Sequence, residues 1–133
     1  MSDTAFDIYI PFVDHLGIQL LSKENGHVTI RFDPRPEHFN SWKTVHGGVL
    51  MTLLDVALGS SSRSLDTTCV GATTVELKAN FLSGAVGTVI GEGHAQRAGR
   101  SLIFSEGELK TPDGVLLAKG SGTFKLLYPE PTE

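Results

Sequence analysis

The 133-residue chain has a single cysteine and no long apolar run. One thiol, Cys69, cannot form an internal disulfide, so the composition fits a reducing compartment. No apolar segment reaches the roughly 20 residues that a helix needs to span a bilayer. The acidic, arginine-free start Met1-Ser2-Asp3 is also unlike a secretory signal peptide. We therefore expect a soluble cytoplasmic protein with no membrane partner.

Positive charge is sparse and dispersed. The chain has 11 Lys and Arg residues against 15 Asp and Glu, and its formal net charge is -4. Only Arg97 and Arg100 form even a loose pair. Nucleic-acid-binding surfaces gather basic residues on one face. We therefore expect no nucleic-acid partner.

The histidines give no sign of a metal site. Neither an acid nor a second histidine stands at metal-ligand spacing from His46. The other four histidines are scattered along the chain: His15, His27, His38 and His94. We predict no metal and no other cofactor.

Length and hydrophobic periodicity predict one domain over residues 1–133, with two helices and six strands. The first helix covers Ala5–Leu16 and is started or interrupted by Pro11. The second helix, Gly47–Ser62, is apolar on nearly every side, so we expect the rest of the protein to enclose it. The strands are predicted at Gly17–Leu21, His27–Asp33, Thr73–Leu82, Thr88–Ala95, Ser101–Leu109 and Val115–Leu127.

Turn residues predict how these strands connect. Asn25-Gly26 is the favoured two-residue hairpin turn, and Asp33–Pro36, with two prolines, predicts an extended loop. Tight antiparallel turns are predicted at Gly84/Gly87, Gly99 and Pro112-Asp113-Gly114. Because a flat sheet would leave half of the single apolar helix in water, we expect an α+β fold with a curved antiparallel sheet around it.

Asp55 is the exception in this apolar helix. An enclosed carboxylate costs several kcal/mol unless a partner relieves it, and such groups gather at catalytic sites. Gly47 and Gly48 begin the same helix, where backbone N–H groups lack intrahelical acceptors and the helix dipole adds positive potential. An oxyanion could bind there, because glycine lets a substrate approach the backbone closely. On the residues alone, a structural aspartate after a plain glycine turn is the commoner arrangement, and a catalytic carboxylate beside an oxyanion site is the alternative.

One segment and its flanks carry a family resemblance. His46-Gly47-Gly48 runs into Leu54–Gly59, with Asn40 before it and Thr73–Phe81 after it. This order resembles the hotdog-fold thioesterases of the phenylacetate-pathway (PaaI) type, and the likeness extends over about Gly17–Leu127. It implies a hotdog fold in which an antiparallel sheet wraps a long helix. It also implies that acyl-CoA thioesters are hydrolysed at the interface of a homo-oligomer, either a dimer or a dimer of dimers (homotetramer).

The resemblance also implies roles for individual residues. Asp55 would act as general base or nucleophile, and the Gly47 N–H would polarise the thioester carbonyl. Asn40 would orient the reacting group or the attacking water. A hydroxyl on the following strand would help to hold water, and either Thr74 or Thr73 fits that position.

Four further residues are assigned to substrate binding. His46 and Gly48 flank the oxyanion position, and His46 is expected to fix the loop by bonding to backbone rather than to act as a base. Arg97 and Arg100 lie on a turn with a flexible glycine, where two guanidinium groups suit the phosphates of CoA.

Two other functions remain open for the same architecture. A hotdog dehydratase or hydratase would need a histidine and an acid on opposite sides of one acyl chain, and no such pair is spaced plausibly around the helix. A non-catalytic acyl-CoA binding or sensing protein would gain nothing from Asp55. The acyl group itself, aromatic or medium-chain, stays open.

Overall fold

The computed structural model describes residues 8–130. They form a six-stranded antiparallel sheet curved around one long helix, which confirms the predicted hotdog fold. The helices are α1 (Pro11–Leu16) and α2 (Gly47–Arg63). The strands are β1 (Gln19–Glu24), β2 (His27–Phe32), β3 (Gly71–Phe81), β4 (Val89–Arg97), β5 (Leu102–Lys110) and β6 (Leu116–Leu127).

The first helix is shorter than predicted. Pro11 occupies its first turn, where its missing N–H costs no hydrogen bond, so the proline starts α1 rather than interrupting it. Gly17 ends the helix with a left-handed φ of 74°. Residues 8–10 precede the helix, and the rest of the predicted segment, residues 5–7, lies outside the described range.

The β1–β2 hairpin forms where it was predicted. The two strands join at Asn25-Gly26, and Gly26 has a φ of 83°. Val28, Ile30 and Phe32 are buried, as their alternation with polar residues predicts. The loop that follows is not extended throughout, because a 3-10 turn forms over Pro36–His38 with Pro36 in its first turn.

Sheet order corrects one connection. The strands lie in the order β1-β2-β4-β5-β6-β3, so β3 pairs with β6 while β4 pairs with β2 and β5. The tight antiparallel turn predicted at Gly84 and Gly87 is therefore wrong, since residues 82–88 carry the chain across the sheet instead of closing a hairpin. This order leaves β1 and β3 as the two edge strands.

The core lies between the sheet and the inner face of α2. α2 contributes Leu50, Leu53, Leu54, Ala57 and Leu58 to this core.

No helix within residues 8–130 is both long and apolar enough to span a bilayer.

Gly93 lets β4 pass close to the backbone of α2. A Cβ atom at this position would lie 2.4 Å from the carbonyl oxygen of Ala57, far inside van der Waals contact. We predict that Gly93→Ala lowers the free energy of unfolding by about 1–3 kcal/mol, because the strand must move away from the helix. Denaturant unfolding of the purified protein measures this change.

Gly87 offers a matched control. A Cβ atom there would meet nothing within 4 Å, so Gly87→Ala should change stability by no more than about 0.5 kcal/mol. Equal stability of the Gly93 and Gly87 variants would contradict the close approach.

Candidate active site

Asp55 and Thr74 form a direct contact. The Thr74 hydroxyl donates a hydrogen bond of 2.6 Å to Asp55 Oδ1, joining the middle of α2 to the edge strand β3. Successive side chains of a strand point to opposite faces, so Thr74 rather than Thr73 is the hydroxyl that reaches the carboxylate. The pairing of β3 with β6 is irregular between Thr74 and Glu76, and a bulge of this kind can re-aim a side chain.

The single chain does not enclose Asp55. Its side chain is half-buried, and so are Val49, Thr52 and Val56 on the same side of α2. The expectation of an enclosed carboxylate is therefore wrong for one subunit. The sheet covers the inner face of α2, and the side that carries Asp55 remains partly exposed to solvent.

Asp55 stands at a groove between the two helices and the sheet. The cavity has a volume of about 370 Å³. Its walls are mainly apolar and come from Ile8, Ile10, Phe12, Val13, Val56, Gly59, Ala72, Phe124 and Leu127. Thr52, Asp55, Ser60, Arg63, Gly71 and Thr74 complete the lining. We call this cavity the helix groove.

His46 accepts a hydrogen bond from only one of the two glycines at the start of α2. The Gly48 N–H donates a 2.8 Å hydrogen bond to His46 Nδ1, so His46 caps the helix. The Gly47 N–H has no acceptor within the described part of the chain. Gly47 is therefore the glycine whose amide could bind a substrate oxygen, and the Nδ1 lone pair of His46 is already engaged.

Gly47 opens into a second cavity of about 410 Å³. Asn40 lines the same cavity, which brings these two predicted site residues together. The remaining walls are Thr44, Val45, Leu50, Phe81, Leu82, Ser83 and Gly84. We call this cavity the glycine pocket.

The amide of Asn40 is largely used by its own loop. Oδ1 accepts from the N–H groups of Trp42 (2.8 Å) and Thr44 (3.2 Å), and Nδ2 donates to Thr44 Oγ1 at 3.0 Å. An amide nitrogen carries two hydrogens. The second Nδ2 hydrogen of Asn40 is thus the group that could reach a substrate in the glycine pocket.

Gly47 and Asp55 do not meet within one chain. They lie eight residues apart on α2, which corresponds to about 12 Å along the helix axis. One thioester carbonyl cannot contact both groups at that separation. A single subunit therefore holds the predicted site residues in two separate groups, Gly47 with Asn40 and Asp55 with Thr74, which we call the half-sites.

The arginine turn is partly committed to structure. The Arg97 guanidinium donates to the carbonyl oxygens of Gly99 and Arg100 and lies 3.7 Å from Asp66 Oδ2. Hydrogen bonds lower the pKa of Asp66 to about 2, and those from Thr68 have a larger effect than the one from Tyr128. The Asp66 carboxylate is therefore ionised at neutral pH. Arg97 therefore caps its own turn, and Arg100 is the one better placed to contact a ligand.

His38 is a positioning residue that the sequence did not reveal. Its side chain is 5% exposed, and its Nδ1 accepts a 2.9 Å hydrogen bond from the Arg35 N–H. Its carbonyl oxygen accepts another of 2.9 Å from the His46 N–H. His38 thus ties the proline loop to the start of α2. The nearby prolines predict a loop but not this burial.

His38 gives stability a pH dependence. Burial, followed by the charge of Arg35, lowers the pKa of His38 in the folded protein below its ordinary value of about 6.5. The unfolded chain then binds the proton more tightly, so stability falls as pH drops through about 6.5 and the loss ends below the folded pKa. Urea unfolding of the protein between pH 5 and 8 would measure this decline.

A substitution assigns the pH effect. We expect His38→Gln to remove this component of the decline, while His94→Gln, at an exposed position, retains it. An unchanged pH dependence in His38→Gln would contradict the assignment.

The chain resembles known proteins in sequence. The sequence profile of the thioesterase superfamily matches residues 43–118, a span that includes Gly47, Asp55 and Thr74 and begins after Asn40. A protein of Saccharolobus solfataricus named as an esterase is 29% identical over 113 residues, covering 84% of this chain and 80% of the relative. The medium/long-chain acyl-CoA thioesterase YigI of Salmonella typhimurium is 25% identical over 142 residues, covering 90% of this chain and 87% of the relative.

The fold also matches solved structures. The PaaI protein from the phenylacetic acid degradation operon of E. coli superposes with a TM-score of 0.82 and 18% identity. The superposition covers 92% of this chain and 88% of that one. At this identity the likeness is one of fold alone.

Among residues 8–130, no group of three or more His, Cys, Asp or Glu residues could hold a metal ion.

Proposed function

Because the chain belongs to the thioesterase superfamily and is therefore a thioester hydrolase, we propose that it hydrolyses acyl-CoA thioesters to free CoA and a carboxylic acid. The observation that carries the proposal is the 2.6 Å contact between Thr74 and Asp55 beside an apolar groove. An acyl-CoA carries an apolar acyl chain next to a thioester carbonyl, and this carbonyl must be activated for attack by water. The name of the Salmonella relative also supports acyl-CoA as the substrate.

The active site in this proposal is shared between two copies of the chain. Gly47 and Asn40 of one subunit face Asp55 and Thr74 of the other, because about 12 Å separates the two half-sites within one helix. The free edge of β3 supplies a pairing surface. Val75 and Phe81 on this strand are 60% and 51% exposed, and an exposed edge strand with apolar side chains is normally covered. Two β3 edges paired across a twofold axis would form two identical sites.

The proposed chemistry assigns each group one task. The thioester carbonyl accepts a hydrogen bond from the Gly47 N–H, and the N-terminus of α2 stabilises the oxyanion. Asp55 as general base takes a proton from water, the water oxygen bonds to the carbonyl carbon, and CoA leaves as a thiolate that is then protonated. If Asp55 is instead the nucleophile, it forms a mixed anhydride that water opens to the same products.

Asn40 and Thr74 support these steps. Thr74 holds one oxygen of Asp55, which leaves the other oxygen to face water or substrate. The second Nδ2 hydrogen of Asn40 orients the reacting group from the glycine pocket. His46 contributes by capping α2 and so keeps the Gly47 amide in place, and Gly48 supplies the capped N–H. Thr73 remains the alternative supporting hydroxyl if β3 shifts when two subunits pair.

The wider setting belongs to the same proposal. We infer a single PaaI-like domain over residues 1–133 and a cytoplasmic location, the latter from the lone Cys69. Pairing through β3 predicts at least a dimer, and a dimer of dimers (homotetramer) is compatible with it. A hydratase or dehydratase gains no support, because the histidine nearest the reacting position, His46, caps the helix.

Mixed dimers test the shared site. We predict that Asp55→Asn and Asn40→Ala each lower kcat, with losses of about 10²–10⁴ for Asp55→Asn. In a mixed dimer, one of the two sites combines the intact Asn40 of the Asp55→Asn subunit with the intact Asp55 of the Asn40→Ala subunit. Random co-assembly should therefore restore about a quarter of the wild-type activity, since half of the dimers are mixed and each has one working site of two. The measurement is CoA release, followed with a thiol reagent, after co-expression of the two variants.

The control is a pair of variants from one half-site. Co-assembled Asp55→Asn and Thr74→Ala subunits should regain no such activity, because each mixed site lacks one of the two groups. Recovery in this control as well, or none in the first pair, would contradict a site built across two subunits. Full activity of Asp55→Asn alone would return Asp55 to a structural role.

Arg100 should affect affinity and not the chemical step. A phosphate contact is made equally in the ground state and the transition state, so Arg100→Ala should raise KM for acyl-CoA with kcat unchanged. We expect about a two- to fivefold effect, the size of an exposed ion pair. The thioester of N-acetylcysteamine, which lacks the nucleotide, should show no change.

Arg97→Ala provides the comparison. This variant removes the contacts of Arg97 with Asp66 and the turn carbonyls, so it should lower the melting temperature as well as the affinity for acyl-CoA. An Arg100→Ala variant that loses activity equally on both thioesters would exclude a phosphate contact at this turn.

A further inference from the structure

The helix groove extends from the proposed reacting position along α2. Asp55 stands at one point of its lining, Gly59 follows one turn later, and Arg63 one turn after that. Side chains four residues apart stack on one face of a helix. The absence of a side chain at Gly59 therefore leaves open the space directly beyond the Asp55 carboxylate.

Phe124 bounds this space on the sheet side. A Cβ atom at position 59 would lie 3.4 Å from Phe124 Cε2, an ordinary van der Waals contact. An alanine at this position fits without moving its neighbours. A longer side chain must extend from the helix into the groove, because Phe124 already occupies the wall.

The groove suits the acyl chain better than the CoA moiety. Most of its walls are apolar, with Ile10, Phe12 and Val56 among them, and water is released when an alkyl chain covers them.

We propose that the helix groove binds a medium-length aliphatic acyl chain and that Gly59 is the residue that determines the accepted length. The inference rests on the proposed hydrolysis of acyl-CoA and names the substrate class of the same site. Asp55 to Arg63 spans about 12 Å of helix. Because carbon–carbon bonds of about 1.5 Å advance an extended chain by about 1.3 Å per carbon, the groove accommodates about nine carbons.

Substitution at Gly59 tests the assignment with a graded series. Gly59→Ala and Gly59→Leu are compared with wild type on acetyl-, butanoyl-, octanoyl- and decanoyl-CoA. For Gly59→Leu we expect kcat/KM on decanoyl-CoA to fall about tenfold or more while acetyl-CoA changes less than about twofold. Gly59→Ala should lie between wild type and Gly59→Leu. Gly87→Leu adds the same side chain where nothing lies within 4 Å and should preserve the wild-type length profile.

Binding of the acid product provides a readout independent of turnover. Calorimetry with decanoic acid should show binding to wild type and Gly59→Ala, and at least a tenfold weaker affinity for Gly59→Leu. Gly59→Ala keeps the test decisive if the leucine variant fails to fold, since its smaller side chain should already reduce activity on decanoyl-CoA relative to acetyl-CoA.

The outcomes separate this inference from the proposed function. Equal loss on all four thioesters would place the pantetheine arm in the groove and overturn the assignment, as would an unchanged length profile. A wild-type protein that hydrolyses none of the thioesters but still binds decanoic acid in a Gly59-dependent manner would support the groove and reject hydrolysis of acyl-CoA. Absence of both activity and binding would reject the two together.

Discussion

The rise of α2 between Gly47 and Asp55 is the constraint on which the rest of the account depends. The Gly47 N–H, which has no acceptor within residues 8–130, and the residue that bears the Asp55 carboxylate lie about 12 Å apart along the helix axis, and a helix packed against a sheet cannot shorten that separation. In the proposed function, Gly47 at the start of the helix and Asp55 at its middle belong to different half-sites. The proposed reaction therefore needs a second copy to bring complementary halves to one carbonyl, so assembly and catalysis would depend on the same geometry.

Sheet order makes that assembly possible. β3 follows α2 in the chain but takes the outer edge beside β6, so Thr74 reaches Asp55 from a strand whose other side has no partner within residues 8–130. The exposed Val75 and Phe81 lie on this strand. Pairing of the edge would bury apolar surface and hold the groups that surround Asp55. The same strand thus supports the proposed base and offers the proposed interface.

Local patterns predicted much of this molecule. The bounds of α2 agree within one residue, because Gly47 starts the apolar run and Arg63 ends it. The errors concern relations between distant segments. The supposed turn at residues 82–88 is a crossover, since glycines mark a bend without indicating which strands pair. Apolar periodicity likewise could not show that one side of α2 stays open, because the pattern of the helix does not reveal which elements cover each of its sides. The burial of His38 arises from loop packing that leaves no periodic signal.

A crystal structure with a non-hydrolysable ketone analogue of an acyl-CoA would test the central claim most directly. The account predicts that the ketone oxygen accepts a hydrogen bond from the Gly47 N–H of one subunit. It also predicts that Asp55 of the neighbouring subunit lies next to the ketone carbon or to a water molecule beside it. A ketone bound within a single subunit, or bound across an interface with Asp55 out of reach, would contradict the account.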